Sequence, residues 1–487
     1  MVQTEKINKI LIAEKRNRKF LLEGNLWKVI FYFTFPVIIY WVFQNISDSI
    51  DLLILKRHDF DPSQITFLSR VHLFKGVIIP FGISIATGGV ILVGRAYGKN
   101  NLDQMRLYLA KTFILSILIG LVLSILCIFV FQTPILNKIL GINQDPQVNI
   151  DQRRYYNLII VSFVCIVINT VFLSLERAKG NNKVALILNL LNAFIKVILS
   201  FFLFYVFGKS ISSLAWATFI SNAVVTLFAL WFLFCDHQNP FKIVLKKLRF
   251  DKEFLQKIAK LAIPVCASIS VYGLGKLIVS IIIREFYNNG PEKLNSAQIG
   301  ANLALAVTIN NVFYNLLNSF CDSQNAIISQ NLGHNNLNRV FAAFKKIIFC
   351  MFVLAIIGTL INCFGYKFFL PFFNNKTWEK IPVLERETFR KLLFFETTSL
   401  WLSSGSIILF NFLLSFKKVA PSFYINFLRS ILRIFFICLF SHNFLNWGVT
   451  GVGLSIFLSN LFCFIITVWI FMSFYLKLKR ENLFEQD

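Results

Sequence analysis

Charge is what this sequence has least of. Asp, Glu, Lys and Arg make up 15% of its 487 residues, while 56% are hydrophobic. A water-facing globular surface needs nearer a quarter charged, so a sizeable soluble domain is excluded. Acid is the scarcer sign, with 24 Asp and Glu against 49 Lys and Arg, a formal charge of +25. The five histidines (His58, His72, His237, His334, His442) are scattered. The nine cysteines all fall inside apolar runs, with no C-x-x-C pair and no Cys/His spacing for zinc, so they read as small core hydrophobes. No G-x-x-x-x-G-K-[ST] loop, H-E-x-x-H helix or nucleophile elbow occurs. The chain is therefore expected to be no enzyme and to hold no cofactor.

What is there is apolar length. A helix needs roughly 20 apolar residues to cross about 30 Å of hydrocarbon. Runs of that order lie near 28–55, 65–93, 109–131, 155–176, 184–207, 211–235, 259–284, 297–331, 343–364, 391–416, 421–440 and 447–474. An all-α polytopic membrane protein of twelve transmembrane helices follows, with both termini on one side. Lys and Arg favour the terminus side about two to one, and basic loops face the cytoplasm. Both termini are expected to be cytoplasmic, in the plasma membrane. This lipid-facing basicity, with the codon bias of an AT-rich genome, accounts for the net charge without nucleic acid as a partner.

Five segments are expected. Residues 1–27 are basic and polar (Lys15, Arg16, Arg18, Lys19), with no cleaved signal; 28–235 form a first six-helix lobe. Residues 236–258 (Lys242, Lys246, Lys247, Arg249, Lys252, Lys257) form an amphipathic surface connector. A second lobe spans 259–474, and 475–487 are a tail.

The lobes repeat one another in order. Phe33-Thr34-Phe35-Pro36-Val37 returns as Leu261-Ala262-Ile263-Pro264-Val265. Gly98 and Gly333 each precede a paired Asn-Asn-Leu, which predicts a helix stop and a tight turn. Asn189 and Lys196 match Asn426 and Arg433, and Ser221-Asn222 matches Ser459-Asn460. Six helices per copy make the repeats parallel, the architecture of an alternating-access carrier.

On Pro36 followed by Asp51, the Gly98 and Gly333 loops and Trp216-Ala217-Thr218-Phe219-Ile220-Ser221, the chain resembles the multidrug and toxic-compound extrusion (MATE) family of the wider polysaccharide-flippase superfamily. The resemblance runs from Asn25 to about Tyr475. It implies two six-helix lobes in a V and export of small organic compounds driven by Na⁺ or H⁺. The expected partners are membrane lipids and a small organic substrate, and the expected state is a monomer. The superfamily also implies an alternative, a flippase for an anionic lipid-linked head group.

Charges within the spans mark the candidate site, because each costs about 2.5–3.5 kcal/mol on insertion scales. Gln44, Asp48 and Asp51 share one face of helix 1. The family's helix-1 acid matches Asp51, a carboxylate fit to take and release a cation. Either aspartate could instead sit at the outer interface beside Lys56, Arg57 and Asp59. Some members of the family complete this site with an Asn and an Asp one turn apart on helix 5, which Asn192 and Lys196 match here. The ammonium in place of the acid weakens the expectation of Na⁺. Either Lys196 is a tethered counter-ion for Asp51, with Thr218 nearby, or it snorkels against carbonyls. In the second lobe Lys276, Asp322, Glu396, Arg429 and Arg433 interrupt apolar runs. Asp322 lies in a polar stripe with Ser319, Ser323, Gln324 and Asn325, read as cavity-lining. The bases either pair with acids or line a surface for an anionic substrate. Tyr40, Trp41, Tyr272 and Tyr314 are available to stack on a planar compound, or simply pack.

Overall fold

An apolar segment in lipid can satisfy its backbone only by coiling on itself, and the described residues do so in twelve long helices. The computed structural model describes residues 18–57, 62–131, 146–206, 210–236, 242–243, 251–288, 296–374, 377–443, 445 and 447–480. Residues 1–17 and 481–487 of the expected terminal segments, and 237–241 and 244–250 of the connector, lie outside them. So does the side chain of Asp48, whose backbone is in the first helix.

The helices are α1 (Leu26–Arg57), α2 (Pro62–Gly98), α3 (Leu102–Phe131), α4 (Pro146–Ala178), α5 (Asn182–Val206), α6 (Ile211–Leu230), α7 (Lys252–Asn288), α8 (Ser296–Gly333), α9 (Leu337–Asn374), α10 (Val383–Ser415), α11 (Ala420–Ile437) and α12 (Gly448–Arg480). No strand occurs among the described residues. Among the described residues, eleven helices are long and apolar enough to cross a membrane. The other, α8, is long enough but buries Asn302, Asn310, Gln324, Asn325, Gln330 and Asn331. Several helices overrun their apolar runs, α9 most clearly, because a helix keeps its own hydrogen bonds beyond the hydrocarbon. For the same reason α7 begins at Lys252 and takes in the end of the expected connector.

Four helices stop in the same way, two in each half. After α2, Asn101 N donates to Ala96 O and Asn100 N to Tyr97 O; after α8, Asn336 N donates to Asn331 O and Asn335 N to Leu332 O. The turns after α4 and α10 repeat the pattern through Asn181 to Glu176 and Lys418 to Leu413. This is the Schellman motif, whose penultimate residue is left-handed. Here that residue is Asn100 (φ 60°), Gly180 (φ 83°), Asn335 (φ 59°) or Lys417 (φ 63°). The helices thus stop at Gly98 and Gly333 in tight turns, as expected, and the first Asn of each pair supplies the left-handed residue. The second Asn caps the next helix, Asn101 Oδ1 accepting from Gln104 N and Asn336 Oδ1 from Arg339 N.

The glycines instead permit close approach. A β-carbon on Gly94 would meet Ser329 Oγ at 2.3 Å, so the end of α8 lies directly on α2. Gln330 Nε2 adds a hydrogen bond of 2.8 Å to Ala178 O. Residues Asn325–Val340 accordingly join Met1–Cys266 in one compact unit, and Ala267–Gln324 with Phe341–Asp487 form the other. These boundaries fall inside α7, α8 and α9, away from the connector.

The core of the first unit packs Phe67, Val71, Tyr156, Phe163, Phe204 and Leu214 from α2, α4, α5 and α6. That of the second packs Val279, Ile299, Phe389, Leu392, Val452 and Ile456 from α7, α8, α10 and α12. Pro36 and Pro264 sit inside α1 and α7. A proline leaves the carbonyl four residues earlier without its helical donor. For Pro36 that carbonyl is Tyr32 O, which accepts from Asn182 Nδ2 at 3.1 Å, while Tyr32 Oη donates to Gly180 O at 3.0 Å. These bonds tie α1 to the turn that starts α5.

Candidate functional site

The tie at Tyr32 sets α1 along α5, and further along the pair two opposite charges meet. Lys196 Nζ lies 3.4 Å from Asp51 Oδ2, with side chains 8% and 10% exposed. Each charge has a second polar partner on the opposite helix. Ser200 Oγ, one turn beyond Lys196, donates to Asp51 Oδ1 at 3.1 Å, and Lys196 Nζ donates to Ser47 O, one turn before Asp51, at 3.4 Å. The i, i+4 spacing places Ser47 with Asp51 and Lys196 with Ser200. Lys196 is thus paired with Asp51. Ser200 was missed in the sequence, although its position four residues after a buried lysine was available as a signal. Gln44, two turns before Asp51 on the same face of α1, is half-buried.

Asn192 and Thr218 belong to a second polar group in this unit, centred on Asn222 of α6. Asn222 Nδ2 donates to Thr218 O at 2.8 Å, Asn169 Nδ2 of α4 donates to Asn222 O at 2.9 Å, and Thr226 Oγ1 donates to Asn169 Oδ1 at 3.0 Å. Asn192 Nδ2 reaches Asn222 Oδ1 at 3.5 Å, and its own Oδ1 is buried without a partner. The Thr218 hydroxyl donates within its own helix, to Leu214 O at 3.1 Å.

In the second unit, three cations surround one ring. Lys276 Nζ, Arg429 Cζ and Arg433 Cζ lie 4.7, 5.5 and 5.9 Å from the centre of Tyr272. Tyr272 and Lys276 are one turn apart on α7, and Arg429 and Arg433 are one turn apart on α11, so two helix faces build the cluster. Arg433 Nε donates to Ser459 Oγ of α12 at 3.4 Å. Tyr314 of α8 feels the charge of Arg429. Glu396 of α10 feels Arg433 and Lys276. Among the described residues, however, no ion pair within 4.0 Å joins it to a base. Its carboxylate accepts from Asn310 Nδ2 at 3.5 Å, and the same nitrogen donates to Glu396 O at 3.1 Å. Asn362 of α9 backs this arrangement, donating to Asn310 Oδ1 at 3.5 Å and to Thr397 Oγ1 at 3.2 Å.

Asp322 lies on the exposed side of α8, while its polar neighbours serve packing. Gln324 Nε2 donates to Ile408 O at 3.1 Å, and Ser323 Oγ to Ser319 O at 2.8 Å. Gln324 thus ties α8 to α10, while the Ser323 hydroxyl stays within its own helix. Tyr40 and Trp41 lie ring to ring at 5.2 Å. Among the described residues, no three His, Cys, Asp or Glu side chains gather as a metal site.

Long apolar helices carrying paired and clustered charges in their interiors define a polytopic membrane transporter. The MatE family matches at residues 36–202 and 264–439, one segment per half, beginning at Pro36 and Pro264. The chain belongs to the MatE family. A probable multidrug resistance protein, YoeA, of Bacillus subtilis (strain 168) is 21% identical over 286 residues, 57% of this chain and 59% of the relative's length. The match therefore spans little more than half of that curated relative. Two solved structures share the fold at 16% identity. One is a MOP superfamily transporter from Pyrococcus furiosus Vc1 (DSM3638), described as having a binding pocket of reverse polarity that suggests a different function. It has a TM-score of 0.83 and covers 94% of this chain and 98% of its own. The other is a MATE protein in the straight conformation, with a TM-score of 0.82 and coverage of 95% and 98%.

Proposed function

We propose that the chain is a secondary exporter of small organic compounds, of the multidrug type named for its Bacillus relative, driven by a proton gradient through alternating access. Both termini are cytoplasmic in this reading, and the carrier works as a monomer in the plasma membrane with no cofactor beyond the transported proton. The observation that supports it is the Asp51–Lys196 pair at 3.4 Å between α1 and α5.

Lys196 occupies the place where a bound metal cation would compensate Asp51, so a proton is the species left to act on the carboxylate. Protonating Asp51 removes the attraction that holds Lys196. The ammonium is then left unpaired in a poorly solvated place, which favours a different packing of α1 against α5. Losing the proton on the other side restores the pair. Among the described residues, the groups facing Asp51 from α5 are Lys196 and Ser200.

The test is efflux of a fluorescent compound from proteoliposomes under an imposed pH gradient or an imposed Na⁺ gradient, for wild type and Asp51→Asn. The expected result is efflux driven by pH and not by Na⁺, abolished in Asp51→Asn. Unchanged proton-driven efflux in that variant would remove Asp51 from the mechanism.

A further inference from the structure

Lys276, Arg429 and Arg433 bring three positive charges to one ring, and Glu396 stays out of ion-pair contact with all of them. The cluster therefore keeps a positive excess among helices of spanning length. Arg429 is 2% exposed, and its Nε and Nη2 are buried with no hydrogen-bond partner. Beside it lies the Cys463 thiol, a weak acceptor. Arg433, by contrast, has Ser459. A guanidinium with unspent N–H groups in a positive enclosure lacks an acceptor that carries negative charge.

We infer that this cluster binds a small organic oxyanion, headed by a carboxylate or a phosphate. The planar guanidinium donates two parallel N–H bonds to such a group. Arg429 and Arg433, one turn apart, present two of these forks to the same place, and Lys276 adds a point charge from α7. A cationic compound would meet three like charges there against the single carboxylate of Glu396, and the Tyr272 ring already faces three cations. The inference rests on the export function proposed above and gives its cargo a sign: the substrate is anionic. The same head-group chemistry is offered by a soluble anion and by an anionic lipid, and the experiment separates the two.

The full chain, purified in an uncharged maltoside detergent, is titrated by calorimetry with phenyl phosphate and with phenyltrimethylammonium. Phenyl phosphate should bind, more weakly as salt rises, and the ammonium should not. Arg429→Gln and Lys276→Gln should each raise its Kd at least about tenfold, while Lys257→Gln, which removes an equal charge from an exposed pair with Glu253, should leave it unchanged. Without ligand, Arg429→Gln should unfold no lower than wild type, because it removes an uncompensated buried charge; this reading stands even if Lys276→Gln fails to fold. Repeating the titration in nanodiscs with phosphatidylglycerol identifies the source. Displacement of phenyl phosphate upholds the site with a lipid head group as its ligand, and no displacement upholds it with a soluble anion. Absence of phenyl phosphate binding by wild type, equal affinity for the ammonium, or unchanged affinity in both variants would overturn the site. Binding that persists when proton-driven efflux is absent would defeat the transport reading and leave the site standing; efflux without binding would do the reverse.

Discussion

A β-carbon on Gly98 would stand 2.9 Å from the Gly333 α-carbon and 2.1 Å from Gln330 O, and one on Gly333 would stand 2.4 Å from Arg95 O. The ends of α2 and α8 therefore meet backbone to backbone at two glycines that occupy matching places in the repeat. Small residues allow this approach, and side chains forbid it. Gly98→Ala and Gly333→Ala should each cost about 1–3 kcal/mol. The double variant should cost less than their total, because both open the same contact. Gly76, also in α2, has open space within 4 Å of such a β-carbon, so Gly76→Ala should gain about 0.5–1 kcal/mol from helix propensity. Heating followed by fluorescence-detected size exclusion measures all four; equal stability of Gly98→Ala and Gly76→Ala would refute the crossing.

The four Schellman turns make a separate prediction, because three of them place a side chain at positive φ. Asn tolerates that region and Lys does not favour it. Lys417→Gly should thus raise the melting temperature, relieving about 1 kcal/mol. Asn335→Gly should change little, and Asn335→Val should lower stability by about 1–2 kcal/mol. Asn336→Ala removes the cap that Arg339 N donates to and should cost about 1 kcal/mol. Thermal unfolding of the purified variants gives the order, and a destabilised Lys417→Gly would contradict it.

The twelve helices and their duplication were legible because each leaves a local mark, apolar length in one case and matched Pro, Gly-x-Asn-Asn and Ser-Asn landmarks in the other. The Asp51–Lys196 pair was legible as an alternative, since Lys196 alone interrupts the apolar run of helix 5 and the acids Asp48 and Asp51 share one face of helix 1. What escaped was whatever depends on which helix faces which. Gly98 marked the end of its helix, but its contact with Gly333 spans 235 positions that no local pattern encodes. Asn192 and Lys196, one turn apart, looked like one site. Yet the neighbouring α6 draws Asn192 to Asn222, while α1 draws Lys196 to Asp51. The gathering of Lys276, Arg429 and Arg433 on Tyr272 needed the packing of α7 on α11, where Gly275 lies against Ser430.

The buried pair gives the sharpest energetic prediction. Removing one partner strands the other charge, so Lys196→Gln and Asp51→Asn should each lower stability, by about 3–5 kcal/mol at most. The losses need not be equal. Asp51→Asn leaves an ammonium that still has Ser47 O, while Lys196→Gln leaves a carboxylate that keeps Ser200. The double variant carries no charge at this place and should recover most of the loss, because its two amides can hydrogen-bond without desolvated charge. A double-mutant cycle on the melting temperature isolates the pairwise interaction, and it should shrink little in high salt because the pair is shielded from solvent. A strictly additive cycle would mean that the two charges do not act on each other. The double variant would still lack a titrating group, so recovered stability without recovered proton-driven efflux is the expected signature of a pair that both holds α1 to α5 and carries the coupling.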